Sequence, residues 1–84
     1  MRITAISKIK NPKTWENGDH PLAFFDVEFA GVRISKCLLV RTARGFNHTS
    51  PPKTNGERLV EFTEGSLSKA AADAAYNALL ILGN

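Results

Sequence analysis

The chain has 84 residues, of which 43% are hydrophobic and 23% are charged, and its formal net charge is +3. These values are typical of one small folded domain, which we assign to residues 1–84, and they exclude a disordered tail. No apolar run approaches the roughly 18 residues of a membrane-spanning helix, and the N-terminus lacks the continuous apolar block of a signal peptide. The sequence therefore predicts a cytoplasmic protein with no membrane partner, and the lone Cys37 fits a reducing compartment.

Alternating polarity predicts the first two strands. Segment 2–10, RITAISKIK, has one face made of Ile3, Ala5, Ser7 and Ile9. Residues 11–21 contain two prolines, two asparagines and a glycine, which indicates a loop. In the second strand, 22–30, four residues point inward: Ala23, Phe25, Val27 and Phe29. Asp26 and Glu28 point outward, which marks the opposite face as polar.

A hairpin joins the second strand to a third strand in segment 32–41. Because alanine resists positive φ, we expect a short turn in which Gly31 alone adopts the left-handed conformation. Strict alternation after this turn would bury Lys36, so a β-bulge near Ser35 and Lys36 is expected to restore the apolar pattern. The bulge returns two side chains to the interior, Cys37 and Leu39, and leaves two pointing outward, Leu38 and Val40.

Segment 41–53, RTARGFNHTSPPK, predicts a fourth strand around GFNHT. This strand is expected to end at Ser50, because neither of the two prolines that follow can donate to a ladder. We expect Phe46 to be a core residue of this strand. A turn through Asn55 and Gly56 and a short fifth strand, 58–63, come next.

The last predicted element is an alanine-rich helix, 65–82, with Ser66 or Ser68 as its cap and Gly83 as its stop. Its main apolar stripe is made of Leu67, Ala71, Ala74, Ala75, Ala78, Leu79 and Leu82. The order of elements predicts an α+β fold, a small antiparallel β-sheet of four to five strands followed by one C-terminal α-helix packed on it.

The residues that could serve catalysis or hold a metal ion are His20, His48, Cys37 and Asp19. Their spacing matches no pattern of metal ligands or of an activated nucleophile. In this setting Cys37 is expected to be a small core residue, and His20 an exposed loop residue. The sequence therefore predicts no enzyme, no metal or cofactor site and no small-molecule substrate.

Positive charge is concentrated in the first part of the chain. Residues 1–60 carry ten Lys or Arg against five Asp or Glu, whereas residues 61–84 carry one Lys against three Asp or Glu. This distribution favours a polyanion as partner, with a merely solvated basic face as the alternative. Trp15 could stack on a base or pin its loop onto the sheet. The residues that we assign to nucleic-acid binding bracket the fourth strand and its turns: Arg41, Arg44, Lys53 and Arg58.

The order of these motifs resembles the SpoVG (stage V sporulation protein G) family. The likeness covers ITAISKIK, LAFFDVEFAG, VRISKCLLV, the pair Gly45–Phe46 leading into TSPPK, a short strand and a final helix. It implies a small bacterial regulator that binds DNA and RNA and forms a homodimer through its sheet. The rival hypothesis is a protein–protein interaction module, encoded by a phage or mobile element, whose basic charge is incidental and whose apolar helix end binds a protein partner.

Overall fold

The computed structural model describes residues 1–51, 53–54, 57–58 and 61–82, with side chains for 1–51 and 61–82. Its elements in chain order are β1 Arg2–Lys8, β2 His20–Phe29, β3 Val32–Arg41, β4 Asn47–Ser50, β5 Lys53–Thr54, β6 Glu57–Arg58 and α1 Gly65–Ile81. Strands β1 to β4 form one sheet in chain order, all pairs being antiparallel, and β5 pairs with β6.

Helix α1 packs on one face of the four-stranded sheet, which confirms the predicted α+β fold. Between the register shifts, alternate residues of each strand face the helix, because successive side chains of a strand point to opposite faces. Small residues of α1 allow its backbone to lie close to the sheet. The buried core consists of Ala23, Phe25, Val27, Ile34, Cys37, Leu39, Ala72, Ala75 and Leu79.

The β-bulge expected in β3 is present. Ser35 and Lys36 together oppose the single residue Asp26 of β2, and Lys36 has a φ of 61°. The Lys36 N–H donates to Asp26 Oδ1 at 3.0 Å, so the extra residue does not leave its amide without a partner. Beyond the bulge, Cys37 and Leu39 are fully buried, as predicted.

The outward residues of β3 differ from the prediction in their exposure. Leu38 is half-buried, but Val40 is fully buried although it does not belong to the core beneath the helix. Val40 pairs with Pro21, which is also buried. A small second buried region therefore lies on the sheet face away from α1, where alternation alone predicts exposure.

The strict alternation predicted for the first strand is wrong. The register of β1 against β2 shifts between Ile3 and Ala5, so Thr4 is an extra, bulged residue. The bulge places Ile3 and Ile6 on the same face, and both pack against the core. Ala5, predicted to share the face of Ile3, is exposed instead.

The β2–β3 turn contains two residues with positive φ, not one. Gly31 has a φ of 77°, as predicted, but Ala30 has a φ of 51°. Phe29 pairs with Val32, so the turn has only two central residues. Positive φ at both central residues is the geometry of a type I′ turn, whose twist matches that of the flanking strands, and this match outweighs the preference of alanine.

The fourth strand begins at Asn47, after Phe46, and ends at Ser50 as predicted. Phe46 is 65% exposed, so its assignment to the core is wrong. The reason is local, because the Thr42 N–H donates to the Phe46 carbonyl at 2.7 Å and closes a loop before the ladder resumes.

The segment after β4 contains a hairpin in which Lys53 pairs with Arg58. The turn predicted at Asn55 and Gly56 lies outside the described residues. The fifth strand predicted for 58–63 extends too far, because residues 61–63 belong to no strand.

Helix α1 begins after Glu64, whose side chain makes no capping hydrogen bond. The predicted caps, Ser66 and Ser68, lie inside the helix, so that assignment is wrong. The predicted stop, Gly83, lies outside the described residues. Over the described part of the chain, no helix has the length and apolar character needed to cross a membrane.

The turn provides a test by substitution. Ala30→Gly should raise the free energy of unfolding by about 0.5–1 kcal/mol, because the penalty for a side chain at positive φ exceeds the added chain entropy of glycine. Gly31→Val should lower it by about 1–2 kcal/mol. A Cβ at Gly31 meets no atom within 4 Å, so this effect is purely conformational. Urea unfolding followed by circular dichroism measures both, and equal stability of the two variants would contradict the assigned turn.

Cys37 provides a second test, by pH. Burial raises the pKa of the Cys37 thiol to about 11, and the negative charge of Asp26 adds to the shift. Since this pKa lies above the ordinary value of 9.0, the thiol stabilises the fold fully below pH 9.0, and this contribution is lost as pH rises towards about 11. The free energy of unfolding should therefore fall more steeply over this range in the wild type than in Cys37→Ala. If the free energy of unfolding depends on pH in the same way in the wild type and in Cys37→Ala, the thiol does not contribute.

Candidate nucleic-acid interface

Two loops lie at the same end of the sheet. Residues 9–19 connect β1 to β2, and residues 42–46 connect β3 to β4. In an antiparallel sheet whose strands pair in chain order, the first and third connections fall at one end and the second connection at the other. We call residues 8–19 and 41–46 the loop end of the sheet.

The two loops are in direct contact. The Ala43 N–H donates to Asp19 Oδ1 at 3.1 Å. Gly18, with a φ of 89°, lies so close that an added Cβ would be 2.8 Å from the Ala43 Cβ. This position therefore requires glycine both for its conformation and for the close approach of the loops.

Each loop is also closed by its own hydrogen bonds. In the first loop, the Trp15 N–H donates to the Asp19 carbonyl at 2.8 Å, and the Gly18 N–H donates to the Trp15 carbonyl at 2.9 Å. In the second, the Phe46 N–H donates to Thr42 Oγ1 at 3.0 Å, in addition to the backbone bond between these residues. Both loops therefore have defined backbones where they meet.

The loop end carries a local excess of positive charge. Its two acidic residues are Glu16 and Asp19, and its five basic residues are Lys8, Lys10, Lys13, Arg41 and Arg44. The ion pairs found within the described residues lie elsewhere, where Glu28 pairs with Arg2 and Arg33, and Asp73 pairs with Lys69. The positive charge of the loop end is therefore not neutralised by an ion pair among those residues.

Arg41, one of the predicted binding residues, makes two contacts within the protein. Its Nη1 donates to the Gly45 carbonyl at 2.7 Å, and its guanidinium carbon lies 4.2 Å from the centre of the Tyr76 ring. The cation–π contact joins the second loop to α1. Because a guanidinium has five N–H donors, donors remain for an external phosphate, but Arg41 also supports the loop structurally.

The other three predicted residues lie in two places. Arg44 is exposed beside Gly45, whose φ of 86° turns the second loop. Lys53 and Arg58 lie directly opposite each other in the β5–β6 pair, and their side chains fall outside the described residues. The structure thus places Arg41 at the end of β3 and Arg44 in the loop that follows it, and pairs Lys53 with Arg58 in one hairpin.

Phe46 stands beside a groove of about 330 Å³ between the second loop and the start of α1. The groove is lined by Phe46, Asn47, His48, Gly65, Ser68 and Lys69. Because the ring is largely exposed at the rim of an open groove, an external planar group can reach it.

The wall of this groove is held by a chain of polar contacts. Asn47 Nδ2 donates to Asp73 Oδ1 at 3.3 Å, and Lys69 Nζ donates to Asp73 Oδ2 at 3.2 Å. The hydrogen bonds from Lys69 and from Asn47 lower the pKa of Asp73, so this carboxylate stays charged at neutral pH. The paired Asp73 offsets the charge of Lys69, which makes the loop end the more attractive surface for a polyanion.

The sequence patterns named Trp15 as a possible stacking residue but did not place the first loop beside Arg44. Its lysines and Trp15, which is 43% exposed, share the loop end with Arg44. The available signal was topological, since four consecutive antiparallel strands put alternate loops at one end. His20, predicted to lie exposed in this loop, instead begins β2, is half-buried, and has its Nδ1 2.9 Å from Thr14 Oγ1.

Across the described residues, no cluster of three or more His, Cys, Asp or Glu side chains is arranged to hold a metal ion. Cys37 is fully buried in the core and His48 is exposed on β4.

Comparisons of the chain with family models, with curated proteins and with solved structures find no match in any of the three.

Proposed function

We propose that this protein is a small regulator that binds DNA or RNA and acts as a homodimer in the bacterial cytoplasm. The observation that carries the proposal is the positive charge of the loop end, which has five basic residues against two acidic ones and no ion pair to another described residue. Long basic side chains on loops can reach phosphates without disturbing the sheet, and such contacts supply most of the affinity for nucleic acid. The resemblance to the SpoVG family supports the same function.

The arrangement of charge on the sheet supports the loop end over the open face. On that face, Glu28 lies between Arg2 and Arg33, and these opposite charges offset each other. Asp26 caps the bulge, which adds a second carboxylate to this region. Phosphate groups would meet acidic side chains there, whereas at the loop end they meet mainly lysine and arginine.

The dimer is supported by apolar surface at the end of α1. Leu80, Ile81 and Leu82 are 59%, 86% and 53% exposed. Leu80 also lines a groove of about 540 Å³, together with Leu22 and Leu79. Exposed apolar residues of this density are typical of homodimer interfaces, which are more hydrophobic than the rest of a protein surface.

The charge hypothesis is tested by the double variant Lys13→Glu with Arg44→Glu, which reverses one exposed charge on each of the two loops. It should fold normally, because surface substitutions usually change stability by less than about 0.5 kcal/mol. It should bind labelled DNA and RNA more weakly, with a shallower dependence of affinity on salt, because fewer counterions are released. Titrations by fluorescence anisotropy at two salt concentrations measure both effects.

The matched control is Arg33→Glu with Lys36→Glu, which makes the same change in net charge at two exposed residues nearer the opposite end of the sheet. This variant should keep most of the affinity and the salt dependence of the wild type. Equal losses in both variants would show that only net charge matters. Wild-type binding by the loop variant would leave Lys13 and Arg44 as solvated charges.

The dimer is tested by light scattering. The wild type should have twice the monomer mass of 9.2 kDa at micromolar concentration. Ile81→Lys should shift the protein to the monomer, because it places a charge in the proposed interface, whereas Val32→Lys, at a residue 54% exposed beside the β2–β3 turn, should not. A monomeric wild type would refute the dimer, and a dimeric Ile81→Lys variant would exclude the end of α1 as the interface.

A further inference from the structure

We infer that the loop end binds single-stranded nucleic acid, DNA or RNA, by stacking unpaired bases on Trp15 and Phe46. This inference rests on the proposed function and makes it more specific. The two rings are 43% and 65% exposed, and each lies on one of the two adjoining loops. Basic side chains alone can bind the phosphates of a duplex or of a single strand, whereas exposed aromatic rings can stack only on unpaired bases.

The two aromatic residues are connected through a short series of hydrogen bonds. Trp15 is bonded to Asp19, Asp19 accepts from Ala43, and the neighbouring Thr42 is bonded twice to Phe46. Both residues therefore sit on backbone segments that are ordered before any ligand arrives. Less conformational freedom is lost on binding when the contact residues are already in place.

Neither ring contributes to the core that holds the fold together. Much of each ring remains accessible to a ligand, 43% for Trp15 and 65% for Phe46, so an unpaired base can reach both. Each ring has a basic residue close to it in the chain, since Lys13 comes two residues before Trp15 and Arg44 two residues before Phe46. Proteins that bind single strands combine basic side chains, which contact the phosphates, with aromatic side chains, on which the bases stack.

Duplex nucleic acid fits this surface less well. In a duplex the faces of the bases are already stacked on their neighbours, so an exposed ring finds no base to stack on without unpairing it. A single strand presents each base face at no such cost. The structure therefore favours single-stranded DNA or RNA, and a duplex would be bound through phosphate contacts alone.

The test uses Trp15 as a reporter, because it is the only tryptophan in the chain. Short single-stranded DNA and RNA and the corresponding duplexes are titrated into the full chain. Tryptophan emission and the anisotropy of a label on the nucleic acid are both recorded. We expect single strands to bind about tenfold more tightly than duplexes and to quench Trp15 emission, with duplexes causing little quenching.

Three variants separate stacking from apolar contact. Phe46→Leu should weaken single-strand binding about tenfold and leave duplex binding within about twofold, whereas Phe46→Tyr, which keeps an aromatic ring, should retain single-strand binding. Phe24→Leu is the matched control, since Phe24 is also exposed, at 49%, but lies on the open face of the sheet. It should leave both affinities unchanged. Circular dichroism confirms that each variant is folded.

The outcomes distinguish this inference from the proposed function. Equal affinity for single strands and duplexes, binding without quenching of Trp15, or full single-strand binding by Phe46→Leu would each overturn the stacking inference. In these cases the protein would still bind nucleic acid through its charges. If no oligonucleotide of any kind binds, both the inference and the proposed function are wrong.

Discussion

The register of β3 depends on one contact, the hydrogen bond from the Lys36 N–H to the Asp26 carboxylate. It stabilises a bulge without which every later residue of β3 would point to the opposite face, because side chains alternate along a strand. Cys37 and Leu39 would then leave the core, and Lys36 would enter it. Arg41, ten residues from the β2–β3 turn, would lose its position over Tyr76, and with it the link between the second loop and the helix.

The proposed interface is separated from the parts that stabilise the fold. The core lies between the sheet and α1, whereas the basic and aromatic residues of the loop end protrude beyond the strands. Arg41 is the exception, because it contacts the helix and the second loop at once. Substitutions at Arg44 or Phe46 can therefore change binding with little effect on stability, while substitutions at Arg41 would change both.

Much of the fold can be predicted from the sequence. Buried residues alternate strictly along β2, whereas strict alternation along β3 would bury Lys36. A single β-bulge avoids burying this charge, so the bulge could be predicted. The bulge at Thr4 could not, since isoleucines at positions 3, 6 and 9 fit either register. The exposure of Phe46 depends on its hydrogen bonds with Thr42, and the contact between Asp19 and Ala43 joins residues far apart in sequence. Hydrophobicity patterns contain no information on either.

The bulge at Thr4 has a further consequence for behaviour at high concentration. β1 is an edge strand of the sheet, and a regular edge offers a row of free amide and carbonyl groups on which another molecule could add a strand. Thr4 interrupts the regular spacing of those groups in the middle of the strand. The other edge strand, β4, is only four residues long and is followed by Pro51, which has no N–H to donate. Both edges are thus poor templates for intermolecular β-sheet, which protects the protein against fibrous aggregation.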